Sequence, residues 1–227
     1  MTAQQELLSL NPAGIGASTG FMRPLWGDWE AMVDEAMAVS AEAVELSALS
    51  GSELPELLSF LAGAHRPLGF AAVSVHGPAK DWAGDADELA RALARLPREV
   101  AGVVMHPETL GDCEPYRDLG GRLWLENMDT RKDDARTVAE LARFFDALPQ
   151  ARFCFDIAHA WLHDPSMTLA HELLDAFGDR LAEVHLSSIE RSGRHVPLTE
   201  CDARSFLPVL LRCQGVPWIL EAPLAPA

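Results

Sequence analysis

Eight short apolar runs punctuate the chain, and helical patterns fill most of the intervals between them. The runs are IGASTGFM (Ile15 to Met22), AVELSAL, FAAVSVH, VVMH, RLWLEN, RFCFD, LAEVHL and PWILE. Short runs rich in β-branched and aromatic residues read as buried strands. Between them, apolar residues recur every three or four positions. Leu89, Leu93 and Leu96 do so after Asp85, and Val138, Leu141, Phe144 and Phe145 do so between Asp133 and Leu148. Further helices are expected at about 29–40, 54–62, 115–119, 167–177 and 201–212.

Strands alternating with helices argue an α/β fold with a parallel sheet and helices outside it. Eight such units close most simply into a (β/α)8 TIM barrel, whose active site lies at the C-terminal mouth of the strands. An open, doubly wound sheet would carry a glycine-rich phosphate turn after an early strand. GIGASTG precedes no helix start with that spacing. No linker or low-complexity tract divides the chain, so residues 1–227 are expected to form one domain. Six residues follow Glu221, so the eighth outer helix is expected to be missing. Residues 3–10, or a partner subunit of a homo-oligomer, are expected to cover its place.

Strands normally end in turn residues. Here six of the runs end in groups that bind metals: His76, His106, Glu126, Asp156, His185 and Glu221. RFCFDIAHAW adds His159 three residues after Asp156. Glu126, Asp156, His185 and Glu221 belong to the last four strands. Three carboxylates aimed at one spot cannot all stay ionised without a cation. Mixed oxygen and nitrogen ligands suit divalent Mn, Mg, Co, Zn or Fe. Any one of these residues could be a helix cap or a packed core histidine; the set points to a functional site. His76, His106, His159 and His195 come from other loops around the same mouth and could hold a second metal.

The formal net charge is -16, and only 18 lysines and arginines are present. Nucleic-acid affinity rests on neutralising phosphates, so nucleic acid is not expected as a partner. No apolar run reaches membrane-span length, and MTAQQELLSLNPAG lacks the basic start and long apolar block of a secretory signal. The four cysteines have no CxxC spacing. A cytoplasmic location fits these features.

LENMD, FDIAHAW, EVHLS and WILEA, in that order, resemble the xylose isomerase-like barrel superfamily across nearly the whole chain. That superfamily holds sugar isomerases and epimerases as well as the endonuclease IV type of repair enzyme. The resemblance to the ketose-epimerase branch implies one metal on Glu126, Asp156, His185 and Glu221. It also implies that Glu126 and Glu221 exchange a proton beside the substrate carbonyl, and that His159 and Arg191 bind the sugar. The endonuclease IV pattern is matched at His76 and His106. Its later Asp-x-His reads Gly193-Arg194-His195 here, so a third metal would lack a ligand. Similar barrels also support multinuclear non-haem iron chemistry, and an inert metal-binding barrel is a further reading.

Phe21 and Trp26 follow the first strand and could wall a sugar pocket through their apolar faces. The two lysines, Lys80 and Lys132, lie off the expected strands, which disfavours a Schiff-base mechanism. No glycine-rich loop follows the last two strands, so a phosphorylated substrate is not indicated. Ser187 and Ser188 have no evident base and read as loop. His65, His163 and His171 are expected to face solvent. The reading is a metal-dependent isomerase or epimerase of a small sugar-like carbonyl compound.

Overall fold

A computed structural model describes residues 3–63 and 68–224. Eight parallel strands close into a barrel. They are β1 (Ile15–Ser18), β2 (Ala43–Ser47), β3 (Ala72–His76), β4 (Gly102–Met105), β5 (Leu123–Glu126), β6 (Arg152–Asp156), β7 (Leu181–Leu186) and, after a small antiparallel hairpin of β8 (Ser188–Ile189) and β9 (His195–Val196), β10 (Trp218–Leu220). The order around the barrel is β1-β10-β7-β6-β5-β4-β3-β2, and β2 pairs with β1 to seal it. The expected α/β barrel is therefore present, and every expected strand is a barrel strand.

The helices are α1 (Ala3–Leu8), α2 (Trp29–Val39), α3 (Glu53–Gly63), α4 (Ala86–Leu93), α5 (Val138–Ala147), α6 (Ile157–His163), α7 (Thr168–Phe177) and α8 (Glu200–Leu210). A 3-10 segment, Glu114–Arg122, bridges β4 and β5. Side-chain caps fix several starts: Asp28 accepts from Ala31 N, Asp85 from Glu88 N and Thr199 from Asp202 N. Among the described residues no helix follows β10. Instead α1 packs against α8, with Leu7 buried, and Gln214 donates to the Leu10 carbonyl at 2.7 Å.

Alternation along each strand sorts its side chains into two sets. One set, including Val44, Leu46, Val75, Leu125, Phe153 and Phe155, joins the apolar layer beneath the helices. The other points into the barrel. Its base is plugged by Val104, Trp124, Cys154 and Ala182. Gly102 makes room there, because a Cβ at that position would overlap the Trp124 indole. Two residues further along the strands the interior turns polar, and His106, Glu126 and Asp156 follow Val104, Trp124 and Cys154. The site is thus stacked on a small apolar plug.

Candidate metal centre

Glu126, with no exposed surface, sits at the middle of the cluster. Its Oε2 lies 3.2 Å from both His76 Nε2 and His106 Nε2, and its Oε1 lies 3.3 Å from His159 Nδ1. His185 Nδ1 stands between the two glutamates, 3.5 Å from Glu126 Oε1 and 3.4 Å from Glu221 Oε1. Asp156 caps α6 by accepting from His159 N at 2.7 Å, and its other oxygen lies 3.2 Å from His159 Nδ1. Asn127 locks β5 to β6: its amide donates to the Asp156 carbonyl, and its side-chain oxygen accepts from Asp156 N.

Ligand atoms of Glu126, Asp156 and His185 lie within 4.8 Å of one another, as do those of His76, His106 and Glu126, and those of Asp156, His159 and His195. Glu126 Oε1, Asp156 Oδ2, His185 Nδ1 and Glu221 Oε2 are buried and make no hydrogen bond. Orphaned buried acceptors on one spot are costly without a cation. The donor set, carboxylate oxygens with imidazole nitrogens, fits a divalent metal.

The electrostatics carry the same message. Burial works against a charged His159, yet Asp156, Glu126 and Glu221 push it up to about 10. Burial also disfavours a charged His185, and Cys154, Glu45 and Glu221 beside it still raise it well above its ordinary value. His195 is pushed down to about 4 by burial and by its cationic neighbours. Burial favours the neutral form of Glu126, but the imidazoles of His106, His159 and His185 close around it hold it well below the usual carboxylate range. Glu221 goes the other way, lifted by burial and by Asp156 and Glu126.

The remaining expected residues divide. Phe21 lines the cavity over the centre. Trp26 does not; it is exposed and stacks against Arg23, whose guanidinium carbon lies 5.3 Å from its ring centre. Arg191 is exposed at the turn of the β8–β9 hairpin, outside the cavity lining, because a side chain at the tip of so short a hairpin turns to solvent. The guanidinium of Arg131, from the loop after β5, stands at the mouth instead. It grips Asp129 through Nε and Nη2 and fits against Gly193, at a φ of 79°, where any Cβ would collide with it.

Glu45 and Glu183 were not anticipated. Both are buried in the barrel, with carboxylate oxygens 2.9 and 3.3 Å from His185 Nε2. The signal was present, since AVELSAL holds a carboxylate inside an apolar run and Glu183 shares a strand face with His185. Ser187, read as lacking a base, lies 2.7 Å from His195 Nδ1. Glu221 approaches the same nitrogen at 3.1 Å, so acid and serine do not sit at opposite ends of the ring as a catalytic triad requires. His163 and His171 are half-buried rather than solvent-facing, and His65 lies outside the described residues.

A family model described as xylose isomerase-like TIM barrel matches residues 18–226. The chain belongs to that family. No curated protein matches the sequence significantly. Three solved structures share its fold. Endonuclease IV from Thermus thermophilus is 22% identical with a TM-score of 0.58, covering 86% of this chain and 88% of that one. The 3-keto-D-glucoside 4-epimerase of E. coli is 15% identical with a TM-score of 0.55, covering 86% and 87%. A probable 3-DHS dehydratase from Bacillus anthracis is 12% identical with a TM-score of 0.59, covering 90% and 91%. At these identities the likeness establishes the barrel and leaves the reaction to be argued from the residues. No helix among the described residues is long and apolar enough to cross a membrane.

Proposed function

We propose that this chain is a divalent-metal-dependent isomerase or epimerase acting on a small, sugar-like carbonyl compound. Glu126, Asp156, His185 and Glu221 would hold the ion. When bound, the metal supplies polarisation of the substrate carbonyl and the neighbouring hydroxyl oxygen. One of Glu126 and Glu221 takes the proton from the carbon beside the carbonyl, and the other delivers one to the same carbon from the other side. His159, which lines the same cavity, hydrogen-bonds a substrate hydroxyl.

One observation carries this reading: Glu126 Oε1 and Glu221 Oε1 lie 3.5 and 3.4 Å from His185 Nδ1, so two carboxylates flank one place that an ion and a substrate can share.

Metal analysis of the purified chain together with solvent deuterium exchange into a ketohexose panel tests it. One metal equivalent with exchange at the carbon beside the carbonyl is expected. Glu126→Gln or Glu221→Gln should lower the exchange rate by at least about 100-fold, within the usual range for one acid-base group. Unchanged exchange in both variants would end the two-glutamate mechanism.

The grouping of His76 and His106 on Glu126 favours a second reading, a hydrolase whose second metal would be held by His76, His106 and Glu126. Two equivalents of metal with cleavage of abasic-site DNA or another phosphodiester, and no proton exchange, would select it.

A further inference from the structure

The floor of the cavity is acidic and imidazole-rich, but its mouth is basic. Lys80, Lys132, Arg23, Arg131 and Arg194 all line it. Those five include both lysines of a chain whose net charge is -16. The remaining acidic surface repels anions, so a cationic mouth focuses them on this one opening.

The five cations are not equivalent. Glu108 neutralises Lys132 at 2.7 Å, and Glu190 takes Arg194. Arg23 and Lys80 make no ion pair among the described residues. Arg131 is paired, but Asp129 occupies only Nε and Nη2 of its fork, leaving Nη1 with one long contact to the Ser192 carbonyl at 3.4 Å. The Asp129 grip and the bare Cα of Gly193 hold that guanidinium in one place. Arg23 lies over the ring face of Trp26, its guanidinium carbon 5.3 Å from the ring centre. A fixed guanidinium with a free edge recognises carboxylate and phosphate oxygens geometrically as well as by charge.

We propose that the substrate is itself an acid, whose carboxylate or phosphate group docks at the mouth on Arg131, with Arg23 and Lys80 supplying unpaired charge. This rests on the metal-centre reading only for the other end of the same molecule. The size of the opening and its acidic surroundings favour a small molecule over a polyanion: the cavity over the centre holds about 830 Å3.

Binding to the metal-loaded full chain is measured by calorimetry at low salt with D-fructose, D-fructose 6-phosphate and D-glucuronate. At least one acid-bearing probe should bind about 10-fold or more tightly than D-fructose, the gain typical of a charge-assisted contact. Which one does so tells phosphate from carboxylate. Arg131→Lys and the exposed Arg23→Gln should each cut that preference several-fold while leaving metal content unchanged. Equal affinity for all three probes would overturn the proposal. So would a preference that survives both substitutions, which would place the acid on the metal instead. Tighter binding of an abasic-site duplex, with a steep salt dependence, would also overturn it. Metal content and proton exchange are read independently, so the mouth and the centre can fail separately.

Discussion

Glu45 lines the cavity without joining the four proposed ligands, yet it sets what His185 can offer. Its Oε2 lies 2.9 Å from His185 Nε2, so that nitrogen is the donor and Nδ1 keeps its lone pair for the site between Glu126 and Glu221. Glu45→Gln keeps the shape and removes the charge that fixes the ring. Metal affinity should fall about 10- to 100-fold, the usual cost of losing such a partner. Competition with a chelator of known affinity measures it, and an unchanged affinity would mean that Glu183 alone orients the ring. The contrast with Glu126 shows how far single residues could be read from the letters. Glu126, Asp156, His185 and Glu221 announce themselves because they close apolar runs. Glu45 and Glu183 lie inside such runs, where a lone charge reads as a solvent-facing position until the barrel is closed and both faces prove buried. Arg131 was hidden for another reason: it is recruited by Asp129 and by a bare Cα at Gly193, contacts that no local pattern encodes.

Helix α5 ties the loop of Asp129, Arg131 and Lys132 to the barrel. Its apolar periodicity suggested a start near Asp133, but the helix begins at Val138. Thr137 accepts from Glu140 N while the Glu140 carboxylate accepts from Thr137 N, a reciprocal cap. The residues just before it turn back instead, with Ala135 at a φ of 61° and its carbonyl accepting from Met128 N at 2.9 Å. Periodicity finds helices and does not find caps, so elements were legible to within about a turn and a half while short ones were missed. The two-residue strands β8 and β9 are too brief to show alternation, and α6 follows β6 without a break. Thr137→Ala should cost about 1 kcal/mol of stability by urea denaturation, the usual cost of losing an N-cap. The Glu140 half of the cap is testable by pH. The hydrogen bond from Arg136 lowers Glu140 from 4.5 to about 2. A carboxylate depressed in the folded state stabilises above its unfolded value and loses that contribution as pH falls through the folded one. The stability gap between the native chain and Glu140→Gln should therefore be constant above about pH 5 and shrink as pH drops below about 4.5. A gap that widens on acidification would rule this out.

At the scale of the whole molecule, the barrel interior is a charge problem that folding alone does not solve. Glu45, Glu126, Asp156, Glu183 and Glu221 share it with His76, His106, His159, His185 and His195, and among the described residues neither a lysine nor an arginine is buried with them. Protons on His159 and His185 balance it when no metal is present. A divalent ion does the same task from the centre, so the two compete for the same nitrogens and oxygens. Binding must then release protons at neutral pH, because His185, one of the nitrogens the ion would take, is otherwise held charged well above its ordinary range. Calorimetry of metal binding in buffers of different ionisation enthalpy should show net proton release near neutral pH. The same competition couples binding to folding, since the unfolded chain scatters these ligands over strands from β3 to β10. Metal at about 100 times its dissociation constant should add about 2.7 kcal/mol, and for a chain of this size raise the melting temperature by roughly 5–10 °C. Chelator should reverse the shift. A melting temperature indifferent to metal, with no protons released, would mean that the imidazolium–carboxylate lattice is the finished structure and that the interior was built for packing.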